Sequence, residues 1–470
     1  MKEASDKYDQ GKGFSFYFMF ILLALAGQLC WNMENQWFNT YLYATITKDS
    51  NYVTAMVILS ATLTCISTFI FGALSDRLGK RKLFTGWGFI VWGIATIGVG
   101  LCQYIIDPNN KTTTAVAIAA TMVVLMDGIM SFIGSIAYDS SYNAWVNDHT
   151  NDGNKGVIGL VLGIMPVIGT ILGTVIGGLI IDSNGGDNYI ALFLTMGGLV
   201  ICCGIACLVF AKDKKYLLPN RDGSFWNQVV TPFKFRSLSK IENFKEMLYA
   251  SILAAVYFTS FNFYFAHIAN WAIYNLGFSA GDFGLLEGAG MIIGIVLAIP
   301  CMGLISKEKT PIVALLGLVT SFVGLMIIYL FVKDASAVDA VNIFSAKNIP
   351  LVLAVVFFGF GEILITMACM MWVRGLFPES NRGQFEGFRC VFFTWVPMLI
   401  GTLCGNLIIK AIGTAGVDEI GMSIDIPPVE LFFYASFVVL LAFIPLVFAW
   451  RAHDKRVKAK KKEEENQPNP

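Results

Sequence analysis

Four carboxyl groups, Glu34, Asp127, Asp139 and Glu362, stand inside stretches that are otherwise apolar. A carboxyl withdrawn from bulk water can accept and release a proton, hold a cation, or accept hydrogen bonds from hydroxyl groups. Amides and rings that could complete such a site gather near two of these stretches. Around Glu34 the chain reads Trp31-Asn32-Met33-Glu34-Asn35-Gln36-Trp37-Phe38-Asn39. Its amides recur at helical spacing, which puts much of the polarity along one side of a helix. Asn262, Tyr264, His267, Asn270, Trp271 and Tyr274 form the second group. They offer amides to hydrogen-bond a hydroxylated ligand and ring faces to cover its apolar side. His267 could relay a proton, although a lone histidine in such a run also serves as a hydrogen-bonded core residue.

Other chemistries find no footing. There is no phosphate-binding P-loop, no HExxH and no GxSxG, and Gly288-Ala289-Gly290 lacks the third glycine of a dinucleotide fingerprint. The ten cysteines lie in apolar runs without a CxxC pair, and His149, His267 and His453 are too scattered for a zinc site. The expectation is a protein that is not an enzyme and that carries no cofactor or metal, its only inorganic partner being a coupling cation, H+ or Na+.

These residues need elements that hold them away from water, and composition says which. The 470 residues are 56% apolar and only 14% charged, with a mean hydropathy of +0.65, where soluble domains carry about a quarter charged residues. Thirty-three basic residues balance thirty-three acidic ones, so no global field recruits nucleic acid. A helix crossing a bilayer needs about 20 mostly apolar residues, because lipid offers its backbone no other partner. Twelve stretches qualify: 14 to 44, 52 to 75, 83 to 106, 114 to 145, 156 to 182, 188 to 211, 247 to 276, 281 to 305, 310 to 333, 349 to 376, 384 to 411 and 429 to 450. The first is read as a retained span, since no small-residue cleavage site follows it. The reading is an all-α membrane protein with a six-helix half over 1–211, a central loop over 212–246, a second six-helix half over 247–450 and a tail over 451–470.

Orientation follows from the basic residues. With the N-terminus inside, the inner segments hold Lys2, Lys7 and Lys12, then Arg77, Lys80, Arg81 and Lys82, then the central loop and a tail rich in lysine. The outer loops hold only Lys48, Lys111, Lys333, Lys347 and Lys410. This asymmetry predicts a plasma-membrane protein with both termini cytoplasmic. A gapped internal repeat, Asn154-Lys155-Gly156 before Gly169 and Gly173 and Asn381-Arg382-Gly383 before Gly401 and Gly405, fits two similar halves. In the fifth stretch Gly169, Gly173 and Gly177 give a smooth face for close helix approach.

Between the second and third stretches the chain reads Gly72-Ala73-Leu74-Ser75-Asp76-Arg77-Leu78-Gly79-Lys80-Arg81-Lys82. It resembles the GxxxDxxGxR/K loop of the major facilitator superfamily, with glycines for a tight turn, a carboxylate to face a helix N-terminus and basic residues at the membrane surface. The resemblance implies twelve helices in two halves, with Gly72, Asp76, Arg77, Gly79, Lys80, Arg81 and, after the tenth stretch, Arg382 forming a cytoplasmic gate. The matching loop of the second half, Gly303-Leu304-Ile305-Ser306-Lys307-Glu308-Lys309, has lysine in place of the aspartate.

Within that superfamily the segment Asp139-Ser140-Ser141-Tyr142-Asn143-Ala144-Trp145-Val146-Asn147-Asp148-His149-Thr150 is similar to glycoside-pentoside-hexuronide cation symporters, the group of the melibiose carriers. Phe377 to Gly387, with its Arg382-Gly383 pair, is a second likeness to that group. The resemblance implies that Asp139 contacts sugar hydroxyls. Asn143 falls where melibiose carriers place a stacking tryptophan. In the second span, where they place two carboxylates, this chain offers Thr64 and Thr68, which can ligate a cation but not exchange a proton.

The reading that results is a secondary active transporter, a monomer, that imports a sugar, glycoside or similar small polar solute with a cation, probable ion the proton, by alternating access at a midplane site. The substrate-binding candidates are Asp139, Asn143, Trp145, Asn35, Gln36, Asn262, Tyr264, His267, Asn270, Trp271 and Glu362. The coupling candidates are Asp127, Asp139, Glu34, Thr64 and Thr68. The alternatives left open are a sodium-coupled symporter, an exporter of amphipathic compounds and a non-transporting receptor.

Overall fold

The computed structural model describes residues 11, 13–151, 153–214, 224–226, 243–306, 308–376 and 388–466. Within them, twelve helical segments are long and apolar enough to cross a membrane. They are α1 (Phe14–Ile46), α2 (Ser50–Ser75), α3 (Arg81–Ile105), α4 (Thr113–His149), α5 (Val157–Gly185), α6 (Tyr189–Phe210), α7 (Phe244–Tyr274), α8 (Ala280–Ile305), α9 (Thr310–Phe331), α10 (Ala346–Gly375), α11 (Phe388–Ile412) and α12 (Glu430–Lys460). With an even number of crossings, the beginning of α1 and the end of α12 share one side, the terminal side. The opposite ends form the far side.

Local chemistry sets where these helices begin and stop. Asp49 caps α2 by accepting from the Asn51 amide, and Thr112 caps α4 by accepting from the Ala115 amide. Pro311 and Pro350 lie in the first turns of α9 and α10, where the missing N–H is no loss. Gly79 ends the helix begun by α2 in the left-handed region, at φ 61°, with its amide on the Ser75 carbonyl. Gly72 lies within that helix, and an added Cβ there would meet only Ser140 Oγ at 4.0 Å. The tight turn expected of both glycines is therefore made by Gly79 alone. Many large apolar side chains remain exposed, among them Ile94, Val209, Val296, Ile299 and Ile444, the pattern of helices solvated by lipid.

The described residues gather into two compact units. The first contains Met1–Val229, Phe265–Gly288 and Ile409–Pro428. In it α1 lies against α5 along the glycine series. A side chain at Gly169 would run into Gln28, at Gly173 into Asn32, and at Gly177 into Trp37, whose indole N–H donates to the Gly173 carbonyl at 3.1 Å. The Gly173→Val protein is expected to lose roughly 1–3 kcal/mol through overpacking, read as a lower melting temperature in detergent. An unchanged melt would mean that α1 and α5 are not apposed there.

A short antiparallel hairpin, β1 (Thr414–Val417) with β2 (Ser423–Ile426), also belongs to the first unit and pairs Thr414 with Ile426 and Val417 with Ser423. It docks on the α1–α2 connection: the Asp425 amide donates to the Lys48 carbonyl, and the Tyr43 hydroxyl donates to the Asp425 carbonyl, both at 3.0 Å.

The second unit contains Val230–Tyr264, Ala289–Ile408 and Val429–Pro470. A buried charge cluster pins its helix ends on the terminal side. Glu246 accepts from Trp372 Nε1 at 2.7 Å and from Arg456 Nε at 2.8 Å, and faces His453 Nδ1 at 3.0 Å. One carboxylate thus satisfies partners from α10 and α12 at the start of α7.

Candidate functional site

α4 carries polar side chains at four-residue intervals, Asp127, Ser131, Ser135, Asp139 and Asn143. A regular α-helix of 3.6 residues per turn over-rotates with each step of four. Between Ser135 and Tyr142 the backbone opens into wide π-type turns that rotate the other way. The row is thereby held near one face.

The first step of the row meets α1. The Ser131 hydroxyl lies 2.7 Å from Glu34 Oε1 and 2.8 Å from the Asp127 carbonyl. Glu34 and Asp127 are both buried, and Asp127 Oδ1 has no hydrogen-bond partner among the described residues. The charges acting on the pair are each other's and that of Asp139, with Ser60 of α2 beside Glu34.

The second step meets α2. Ser135 Oγ lies 3.0 Å from Asp139 Oδ2, 2.7 Å from Thr68 Oγ1 and 3.1 Å from the Thr64 carbonyl. Thr64, Thr68 and Asp139 are brought together by a serine that sequence reasoning passed over. Ser131 and Ser135 were legible as the four-residue spacing itself.

Further toward the far side, α1, α5 and α8 share one buried chain of hydrogen bonds. Thr174 Oγ1 donates to Gln36 Oε1 at 2.6 Å, Gln36 Nε2 donates to Glu287 Oε2 at 2.6 Å, and Asn32 Nδ2 reaches Thr174 Oγ1 at 3.4 Å. Glu287, absent from the candidate residues of the sequence, is 2% exposed and engaged. Asn35 and Asn39 instead return their amides to carbonyls one turn back, at 2.7 and 2.8 Å. Asn270 Nδ2 donates to the Asn39 carbonyl at 3.3 Å. His267 and Trp271 are buried beside it, and neither ring nitrogen of His267 has a hydrogen-bond partner among the described residues.

In the second unit, Asn262 Nδ2 donates to the Phe258 carbonyl at 2.8 Å and Tyr264 packs its ring on Phe358 and Phe432. Glu362 lies half-buried on α10. These three are not joined to one another by any described contact.

On the terminal side of the first unit, Arg81 ties three helix ends together. Its Nε meets Asp148 Oδ2 at 3.1 Å and its Nη1 donates to Ser75 Oγ at 2.6 Å. Asp213 caps α3 through the Lys82 amide at 2.8 Å. Burial pushes the Asp213 carboxyl above the usual carboxylate range, with that hydrogen bond pulling the other way. Arg77 lies 5.8 Å from the Phe225 ring, and Lys80 is exposed. The side chain of Asp76 and all of Arg382 lie outside the described residues. Trp145 is held here as well, against Phe16 and His149 with its indole donating to the Lys212 carbonyl at 2.8 Å, while Asn143 donates to the Asp139 carbonyl at 3.1 Å. Trp145 is thus packed at the helix end, apart from the hydroxyl clusters.

Twelve crossing helices and a basic loop pinned by Arg81 have a counterpart among known families: the model of the Major Facilitator Superfamily matches residues 13–346. The chain belongs to the major facilitator superfamily. Among curated proteins none matches its sequence. Solved structures share the superfamily fold at low identity. A mutant of the nucleoside transporter NupG is 11% identical, with a TM-score of 0.66 over 92% of this chain and 99% of that one. A POT family transporter in complex with 5-aminolevulinic acid is 13% identical, with a TM-score of 0.66 over 92% of this chain and 96% of that one.

Superfamily membership makes this a multi-pass membrane transporter and not an enzyme. The described residues contain no group of three or more His, Cys, Asp or Glu able to hold a metal. For a superfamily transporter the carboxyl-hydroxyl row of α4 is the chemically distinctive feature. It sets one buried carboxyl, Asp127, and a hydroxyl-lined second, Asp139, along α4, with Glu34 of α1 against Ser131, where proton exchange, cation ligation and hydroxyl recognition can each occur.

Proposed function

We propose that the chain is a cation-coupled symporter, driven by protons, that imports a sugar, glycoside or similar small polar solute by alternating access. The observation that carries this reading is that Glu34 and Asp127 are both buried and within electrostatic range of one another. Two carboxylates side by side in a low dielectric do not both ionise without a cation, so the pair holds a proton or a small cation in one state and yields it in another. Asp139, half-buried and bonded to Ser135, supplies acceptors for solute hydroxyls, as its likeness to the melibiose-carrier segment implies. Within the first unit Asn35, Gln36, Asn270 and the Trp271 ring offer the polar and apolar groups such a solute needs, and Asn262 and Tyr264 offer the same kinds of group in the second.

Sodium is the second reading, favoured by the Thr64 carbonyl, the Thr68 hydroxyl and the Asp139 carboxylate each lying within hydrogen-bond distance of the Ser135 hydroxyl. The basic residues of the terminal side, including the exposed Lys455, Lys458 and Lys460 of the last helix, favour a cytoplasmic placement of both termini in the cell membrane. Uptake of radiolabelled sugars into proteoliposomes, with proton and sodium gradients imposed separately, tests the proposal. Accumulation with the proton gradient alone is expected. Accumulation only with sodium would transfer the coupling role to the Thr68 cluster, and uptake indifferent to both gradients would overturn symport.

A further inference from the structure

Glu362, like Asp127 in the first unit, is a deep carboxyl with no hydrogen bond from a described residue, and unlike Asp127 it has no second carboxyl acting on it. Glu34, Asp139 and Glu287 each have a hydrogen-bond donor, Ser131, Ser135 and Gln36. Glu362 has neither a hydrogen bond nor an ion pair from any described residue. The lysines and arginines of the crossing helices stand near helix ends, as Arg81, Arg374, Arg389 and Lys410 do. Arg374 lies more than three turns along α10, and Arg389 points its guanidinium at the Phe393 ring and at Met370 Sδ. The electrostatic neighbour of Glu362 is Tyr257, whose hydroxyl is already paired with Ser321 at 3.0 Å.

Two further features share its side of α10. One turn on, the Thr366 hydroxyl is buried without a hydrogen-bond partner. Other helical threonines return theirs to the carbonyl four residues back, Thr62 and Thr259 at 2.7 Å and Thr68 at 2.8 Å. One turn before, Gly359 leaves room: an added Cβ would meet nothing nearer than Met291 Cγ at 4.0 Å. A charged acceptor, a second acceptor and free space lie together with no donor to serve them. Buried acceptors in that condition are costly until something supplies hydrogen and positive charge.

We infer that this face of α10 takes a protonated amine of the transported solute, with the Glu362 carboxylate as its counter-charge and the Thr366 oxygen as a second acceptor. The inference rests on the transport reading above and narrows its solute to an amine-bearing one, such as an amino sugar. An ammonium group brings three donors and the missing charge. A hydroxyl brings one donor and no charge, and an anion would meet the Glu362 carboxylate with no described lysine or arginine paired to it.

Thermal unfolding of the detergent-purified full chain, titrated with D-glucosamine, putrescine, N-acetyl-D-glucosamine and D-glucuronate, tests the inference without any gradient. Protection by an amine of the set and by neither the acetylated nor the acidic sugar is expected. Glu362→Gln should weaken amine binding by about 30-fold or more, since it leaves the ammonium without its charge partner. Glu362→Asp should restore part of it. Thr366→Val should weaken it by about threefold to tenfold, and gives the answer even if Glu362→Gln fails to fold, which its melt without solute reports. Equal protection by the acetylated sugar or the glucuronate, amine binding undiminished in the folded variants, or no protection by either amine would overturn the inference. Loss of gradient-driven uptake in proteoliposomes would instead count against symport and leave the binding result standing.

Discussion

Asp127→Asn protein in proteoliposomes is expected to exchange solute for solute yet fail to accumulate it against a gradient. Asparagine keeps the shape of the side chain and leaves the backbone carbonyl that Ser131 approaches, so packing between α1 and α4 should survive. It removes the one charge that lets the buried pair with Glu34 take up and release a proton. One elementary charge crossing about 100 mV is worth about 2.3 kcal/mol, or roughly 50-fold accumulation, and that driven component is what should vanish. Counterflow needs the solute site and the conformational cycle but no ion gradient, so it should remain measurable. Glu34→Gln should behave alike, because the two buried carboxyls act on each other electrostatically. Full proton-driven accumulation in Asp127→Asn, Glu34→Gln and Asp139→Asn together would sink the coupling assignment.

Lys410→Met is expected to lower stability sharply through a clasp at the far side of the first unit. Lys410 Nζ lies 2.6 Å from Asp425 Oδ2 and 3.0 Å from Asp49 Oδ1. Asp425 Oδ2 also accepts from the Ser50 amide and hydroxyl, at 3.0 and 3.1 Å, so it sits on the N-terminus of α2. Removing the ammonium leaves Asp425, 5% exposed, beside Asp49 with no cation between them. The expected loss is about 2 kcal/mol, below the value for a fully buried pair because Lys410 is nearly a third exposed. Adding Asp425→Asn should return much of that loss, since it removes the repulsion that the first substitution created. Melting of the single and double variants in detergent checks this; additive losses would show that the three groups are not coupled.

The clasp also shows why part of the candidate site was hidden in the sequence. In the sequence Lys410 stands only as one of the few outer-loop lysines, and nothing singles out Asp425 or Asp49. Asp425 lies far from Asp49 in sequence and meets it only because the β1–β2 hairpin folds back on the α1–α2 connection. Glu287 was hidden for the same reason. Depth along its own helix said nothing of Gln36 and Thr174, which arrive on α1 and α5. Trp145 is a further case: its indole is engaged by the Lys212 carbonyl, a contact that its place in the chain does not show.

The sequence by itself determined the twelve crossing helices, the absence of enzyme motifs, the superfamily loop between α2 and α3 and the few carboxyls at depth. These follow from local rules: a bilayer demands long apolar runs, and every charge inside one stands out against them. Tertiary structure alone decided which of those carboxyls have company. The Glu34 carboxylate accepts from Ser131 within electrostatic range of Asp127, the Asp139 carboxylate accepts from Ser135, whose hydroxyl also reaches the Thr64 carbonyl and the Thr68 hydroxyl, and Glu362 is left one turn from Thr366 with open space beside it. The physical reason is that spacing along a chain fixes only which side chains share a helix face. Partnership in a low dielectric depends on what a neighbouring helix brings within about 3 Å.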